Sequence, residues 1–199
     1  MRFLKWLLAI AIILFIVYLL GPSPDKPEYV QAMPAVPAAA GELEKYIDNK
    51  ETQHKLKPNN EARIIWANDS LKQKTPYAIV YLHGFSASQE EGNPIHTNIA
   101  REFGCNLYLS RLAEHGIDTL EPMINLTADK YWESAKEALA IGKQLGKKVI
   151  LMGTSTGGTN ALQLAAAYPD DISALILISP NIAIFNDKGL GHMVFIDGN

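Results

Sequence analysis

Cysteine is almost absent from this chain: 199 residues contain one, Cys105, so no disulfide can form within it. Its place between Gly104 and the apolar stretch Leu107, Tyr108 and Leu109 marks it as a small buried side chain. No local base would activate it as a nucleophile. There is no H-E-x-x-H and no cysteine pair, so no metal site is expected. Neither sign of charge dominates: 18 Lys and Arg stand against 21 Asp and Glu, a formal net charge of -3. A broadly basic surface, and nucleic acid as a partner, are therefore excluded. Trp6, Trp66 and Trp132 are too scattered for a base-stacking platform. No internal repeat is visible. With 48% hydrophobic and 20% charged residues, the chain is neither disordered nor a coiled coil.

One long apolar run is present, from Trp6 to Leu20, preceded by Arg2 and Lys5 and broken by Gly21, Pro22, Ser23 and Pro24. A positive flank before an apolar stretch is the pattern of a secretory signal or signal anchor. Phe3, Leu4 and Gly21 extend the run toward the length of a membrane span. No small-x-small cleavage site follows directly, and Ala38-Ala39-Ala40 lies too far along. Residues 1–21 are therefore expected to be an uncleaved anchor, with a cleaved signal and secretion as the alternative. The positive flank stays in the cytoplasm, which places the remainder on the extracytoplasmic, periplasmic side. Residues 22–42 carry Pro22, Pro24, Pro27, Pro34 and Pro37, which oppose helix and favour an extended Pro/Ala-rich linker.

Residues 43–199 form the remaining domain. Leu43, Tyr46 and Ile47 share one face of a short amphipathic helix that ends before Pro58. After Asn59-Asn60 strands and helices alternate. Strands are expected at 62–67, 77–82, 106–109, 148–152 and 172–179, and helices at 95–103, 127–145 and 157–168. The continuous apolar run from Tyr77 to Leu82 suits a strand covered on both faces. Thr127 is placed to cap the helix that follows, with Asp129 in its first turn. The pattern predicts an α/β domain: a mostly parallel sheet with helices on both faces.

The chemistry centres on Gly153-Thr154-Ser155-Thr156-Gly157, a G-x-S-x-G sequence between a strand-like and a helix-like segment. A serine on so tight a turn sits in strained backbone and presents its hydroxyl clear of the sheet. Gly153 and Gly157 let strand and helix approach where a Cβ would clash. The following helix aims its N-terminus at the reacting centre. A phosphate loop is excluded because no lysine follows Gly157-Gly158, and the spacing also misses the dinucleotide fingerprint. His83-Gly84-Phe85 follows the strand 77–82. Acyl transfer needs two oxyanion donors, for which the amides of Thr156 and Phe85 are the candidates. Gly84 allows close backbone approach, and His83 is read as a brace for the turn rather than as the general base.

These segments resemble the α/β-hydrolase superfamily. The resemblance rests on Asn60-Glu61-Ala62-Arg63-Ile64-Ile65-Trp66, on Tyr81-Leu82-His83-Gly84-Phe85-Ser86, on the helix Thr127-Ala128-Asp129-Lys130-Tyr131-Trp132-Glu133-Ser134-Ala135 and on the elbow at Ser155. It covers residues 43–199 and is nearest to bacterial esterase- and lipase-like members with an N-terminal membrane segment. It implies Ser155 as nucleophile in the chain order Ser, Asp or Glu, His, a carboxylic ester as substrate, small or lipid-like, and no cofactor. His192, Asp187 and Asp197 are weak candidates for the other triad members, and His54, His96 and His115 are expected at the surface or in loops. The expectation is a C-terminally truncated and nearly inactive domain, with Ala174–Ile178 an exposed apolar edge. An acyltransferase on the same scaffold and a non-catalytic anchored binding module are the competing readings.

Overall fold

A computed structural model describes residues 2–21 and 26–182. His192, Asp187 and Asp197 lie outside the described residues. Helix α1 (Arg2–Leu20) has 19 residues. At 1.5 Å per residue it is about 28 Å long, close to the thickness of a bilayer's hydrocarbon core. It is long and apolar enough to cross a membrane, and Phe3–Leu20 has no buried residue.

The domain is built on one sheet. Its strands are β1 (Arg63–Ile65), β2 (Thr75–Leu82), β3 (Asn106–Leu109), β4 (Gly146–Thr154) and β5 (Ile172–Ile178), in the order β1-β3-β2-β4-β5. β1 runs antiparallel to β3, with Ile64 opposite Tyr108. All other pairs are parallel: Val80 faces Tyr108 on one side and Leu151 on the other, and Leu151 faces Leu175. Ala78, Val80 and Leu82 join one core, with α2 (Ala40–Glu51), α4 (Ala128–Leu145) and α5 (Thr156–Ala167) packed on it. Ile79 and Tyr81 point to the other face, toward Ala100 of α3 (Ile95–Glu102). Two-sided burial is why β2 reads as continuous apolar sequence instead of alternating. Among the described residues β5 is an end strand of the sheet.

Helix α4 starts as its sequence dictates. The Thr127 hydroxyl accepts from Lys130 N at 3.2 Å, satisfying one free donor of the first turn. Helix α2 begins at Ala40, inside the proline-rich stretch, and buries Leu43 and Ile47 one turn apart.

The stretch before α2 is extended but docked. Asp129 Oδ1 accepts the amides of Glu28 (2.8 Å) and Tyr29 (3.2 Å). Trp132 Nε1 donates to Val30 O at 3.1 Å, and Tyr168 OH to Gln31 O at 2.7 Å. Lys136 is the unexpected member. Its side chain is 0% exposed, and Nζ donates to Val30 O (2.6 Å) and Ala32 O (2.8 Å) while pairing with Glu133 at 2.7 Å. Met33 and Val36 then pack on the core. Residues 28–36 thus form a strap along α4. Lys136→Met keeps the side-chain length and removes the three donors, leaving two carbonyls to find water. It is expected to cost about 2 kcal/mol in urea denaturation and to open the strap to protease between Glu28 and Val36. Unchanged stability and cleavage would show that the ammonium does not hold the strap.

Candidate active site

Ser155 alone makes the turn between β4 and α5. Its backbone has φ 52° and ψ -120°, a left-handed conformation that costs a non-glycine residue roughly 1–3 kcal/mol. Three backbone hydrogen bonds hold it there. Its N–H donates to Ile178 O at 2.9 Å, and its carbonyl accepts from Thr159 N and Asn181 N, each at 3.2 Å. The elbow is therefore tied to both its own helix and the end of β5.

Two glycines permit the turn. A Cβ on Gly157 would lie 2.1 Å from Leu82 O and 2.5 Å from His83 O. A Cβ on Gly153 would lie 2.5 Å from Gly157 O. The first turn of α5 therefore rests directly on the backbone that ends β2. That contact brings the His83-Gly84-Phe85 turn beside the elbow: a Cβ on Gly84 would meet Ser155 Cβ at 3.2 Å. Among the described residues the amides of Phe85 and Thr156 donate to no backbone acceptor. The Phe85 ring is 58% exposed.

His83 is buried and spends both ring nitrogens on backbone. Nδ1 lies 2.9 Å from Gly84 O, and Nε2 accepts from Leu112 N at 3.0 Å. Only the neutral Nδ1–H form makes both bonds. Burial pushes its pKa down to about 4. The ring ties the turn after β2 to the loop after β3.

Glu91 gives no signal in the sequence beyond a polar loop, yet it sits at the turn. Its Oε2 accepts from Gly84 N at 2.7 Å and from Tyr81 OH at 3.3 Å. Tyr81 OH also lies 2.9 Å from Thr154 Oγ1, and burial pushes the Tyr81 pKa up to about 12. Tyr131, on the first turns of α4, reaches Thr156 Oγ1 at 3.2 Å. One histidine departs from expectation, and a second, in a loop as expected, is nonetheless buried. His96 lies on α3, 1% exposed, with Nε2 2.8 Å from Gln89 O and its ring edge-on to Tyr81. His115 is in a loop but only 2% exposed, stacked on Tyr131 and edge-on to His83 and Phe85. Aromatic neighbours drew both inward, and burial lowers both pKa values. His54 is exposed.

A cavity of about 520 Å³ lies between α2, α4 and the loop after β3, lined by Tyr46, Lys50, Glu51, Arg111, Glu133 and Glu137 among others. Ser155 and Phe85 do not line it. Its charged walls are cross-linked by Lys50–Glu137 and Arg111–Glu51 pairs, which makes it a gap between packed helices and not part of the elbow's chemistry.

Two outcomes follow from this geometry. Gly157→Ala forces a methyl group into the Leu82 carbonyl and should cost about 3 kcal/mol. Gly158→Ala, whose Cβ would meet Pro180 Cβ at 3.0 Å, should cost clearly less. Equal losses in urea titrations would refute the close contact as the constraint. The second outcome concerns pH. His83 has a folded pKa of about 4 against an ordinary 6.5, so between these values the unfolded chain takes up a proton that the folded chain refuses. Stability is full above pH 6.5 and falls as pH drops toward 4, and His96 and His115 act in the same direction. Histidine NMR should show the His83 ring still neutral at pH 5; a midpoint near 6.5 would contradict its two backbone bonds.

Comparison with known proteins bears on the fold. A family model described as Hydrolase_4, serine aminopeptidase, S33, matches residues 128–194. The comparison with curated proteins found no match. Among solved structures, one from a study of LipS and LipT, two metagenome-derived lipolytic enzymes, is 19% identical with a TM-score of 0.58, covering 67% of this chain and 51% of its own. Est1E from Butyrivibrio proteoclasticus, with ferulic acid bound, is 22% identical with a TM-score of 0.49, covering 60% of this chain and 48% of its own. The chain thus spans about half the length of the solved structures it matches. With its mostly parallel sheet and the sharp turn between β4 and α5, the chain has the α/β-hydrolase fold, and residues 128–194 are similar to the serine aminopeptidase S33 family.

Proposed function

We propose that the chain carries the nucleophile of a membrane-anchored serine hydrolase that cleaves carboxylic esters by acyl transfer. The observation that carries this reading is Ser155 itself. A strained serine stands at a helix N-terminus, with the His83-Gly84-Phe85 turn packed against its Cβ. In the reaction Ser155 Oγ adds to the ester carbonyl carbon and gives up its proton to a base. The carbonyl electrons collect on oxygen, where the amides of Phe85 and Thr156 donate to it. The tetrahedral intermediate collapses with loss of the alcohol, and water then releases the acid. Among the described residues no histidine is hydrogen-bonded to the Ser155 hydroxyl, and His83 has no free nitrogen to offer. Helix α1 supplies the anchor in this reading, and Arg2 and Lys5 before it favour an outward-facing domain.

A fluorophosphonate probe tests the proposal. Ser155 Oγ attacks phosphorus and fluoride leaves, so labelling needs the same activated hydroxyl and oxyanion donors. The protein should be labelled on the peptide containing Ser155, and Ser155→Ala should abolish it. A folded product that resists labelling would identify a non-catalytic binding module instead.

A further inference from the structure

We infer that the strap along α4 fixes the domain with its Ser155 end toward the bilayer, so that the substrate is an ester residing in the membrane rather than one free in water. This rests on the reading of α1 as an anchor and Ser155 as nucleophile, and it adds orientation and substrate class to both. The strap is held first by Asp129, in the opening turn of α4. Two residues on, Tyr131 contacts Thr156 beside the nucleophile. At 100° per residue these two side chains leave opposite sides of the helix, so strap and elbow are about one helix diameter apart, roughly 10–12 Å. The chain therefore joins the domain at the end of α4 nearest Ser155.

Little chain remains to pay out. The eight steps from Leu20, where α1 ends, to Glu28, where docking begins, reach at most about 28 Å fully extended. A domain of this size is roughly 40 Å across. To lay its opposite end on the bilayer, the tether would have to pass along most of that length. It is too short to do so while the strap stays docked.

The end that the tether brings to the membrane also exposes apolar side chains. Phe85 follows β2, Leu120 and Ile124 lie in the loop after β3, Ile182 follows β5, and Ile95 opens α3. They are 58%, 100%, 66%, 59% and 51% exposed, respectively. All five belong to segments that leave the C-terminal ends of β2, β3 and β5, the end of the sheet at which Ser155 follows β4. Ile65, Leu71, Tyr77 and Phe103 are exposed toward the other end but have no tether beside them. An apolar rim around a nucleophile, held within a short leash of a span, fits the acyl region of a lipid surface. The tether also keeps membrane-borne esters at high effective concentration near the site.

The test uses the full chain in phosphatidylcholine vesicles. Flotation first reports whether it is anchored; a chain that stays in solution overturns the anchor reading and this inference with it. In a Cys105→Ala background, a fluorophore is then placed at Leu120→Cys or at Lys147→Cys, which opens the opposite end of the sheet on β4. Quenching by doxyl-labelled lipid should be several-fold stronger at position 120 than at 147. A 30-residue Gly/Ser insertion after Gly21 should level the two. Equal quenching in the unmodified chain, stronger quenching at 147, or a difference that survives the insertion overturns the orientation while leaving the anchor and the nucleophile intact. The insertion should also slow cleavage of vesicle-borne 4-methylumbelliferyl oleate about tenfold or more and leave 4-methylumbelliferyl acetate unaffected. Equal effects on both esters would overturn the substrate class.

Discussion

The first turn of α5 lies on the bare backbone at the end of β2, and the rest of the site depends on that contact. β2 and β4 are parallel neighbours, with Leu82 opposite Gly153. The helix leaving β4 must therefore cross the end of β2 at once. It can do so only because position 157 has no side chain to meet the carbonyls of Leu82 and His83. That crossing forces the abrupt reversal at Ser155, and so its left-handed backbone. It also sets the distance between the elbow and the turn after β2. The strain at Ser155 is local, whereas the contacts that impose it belong to three strands and a helix. A packed sheet of this kind can carry a cost of a few kcal/mol at one residue without relaxing it.

Charge near the elbow is arranged by exclusion. His83, His96 and His115 are all buried and all have lowered pKa values, so none carries a positive charge near neutral pH. Any negative charge developing on a substrate oxygen at Ser155 would meet amide dipoles and the α5 N-terminus instead of a cation. Glu91 sharpens this division. Its carboxylate occupies the amide of Gly84 at 2.7 Å, which orients the turn and leaves the next amide, that of Phe85, unclaimed by backbone.

Much of the fold was legible because it follows from periodicity. The β2 run announced two-sided burial, Thr127 announced the start of α4, and the spacing of Gly153, Ser155 and Gly157 announced an elbow whose glycines the structure shows in contact. What escaped was long-range polar contact. Lys136 sits one turn beyond Trp132 on a face that a lysine ordinarily avoids; its burial makes sense only once the carbonyls of Val30 and Ala32 arrive from a hundred residues away. Glu91 is one acid in a polar loop until Gly84 is folded against it. His96 and His115 belong inside because Tyr81 and Tyr131 offer them aromatic faces. A single chain carries local pattern plainly, but it does not encode visibly which distant carbonyl or ring will complete a buried polar side chain.

The strap shows the same limit from the other direction, since prolines alone suggested an extended linker. Ordering an extended segment costs about 1–2 kcal/mol of backbone entropy per residue, which few surface hydrogen bonds can offset. Proline lowers that cost by restricting the unfolded chain beforehand. Pro27 and Pro34 flank or lie within the docked residues, and Pro37 stands just before α2. A segment with prolines at that density is already extended and already short of conformations to lose. Asp129, Trp132, Lys136 and Tyr168 then have only to hold it in place. The composition that reads as a linker therefore also suits a strap, and what separates the two is whether the domain presents donors and acceptors for its backbone. This one does, along one face of α4 and at the end of α5.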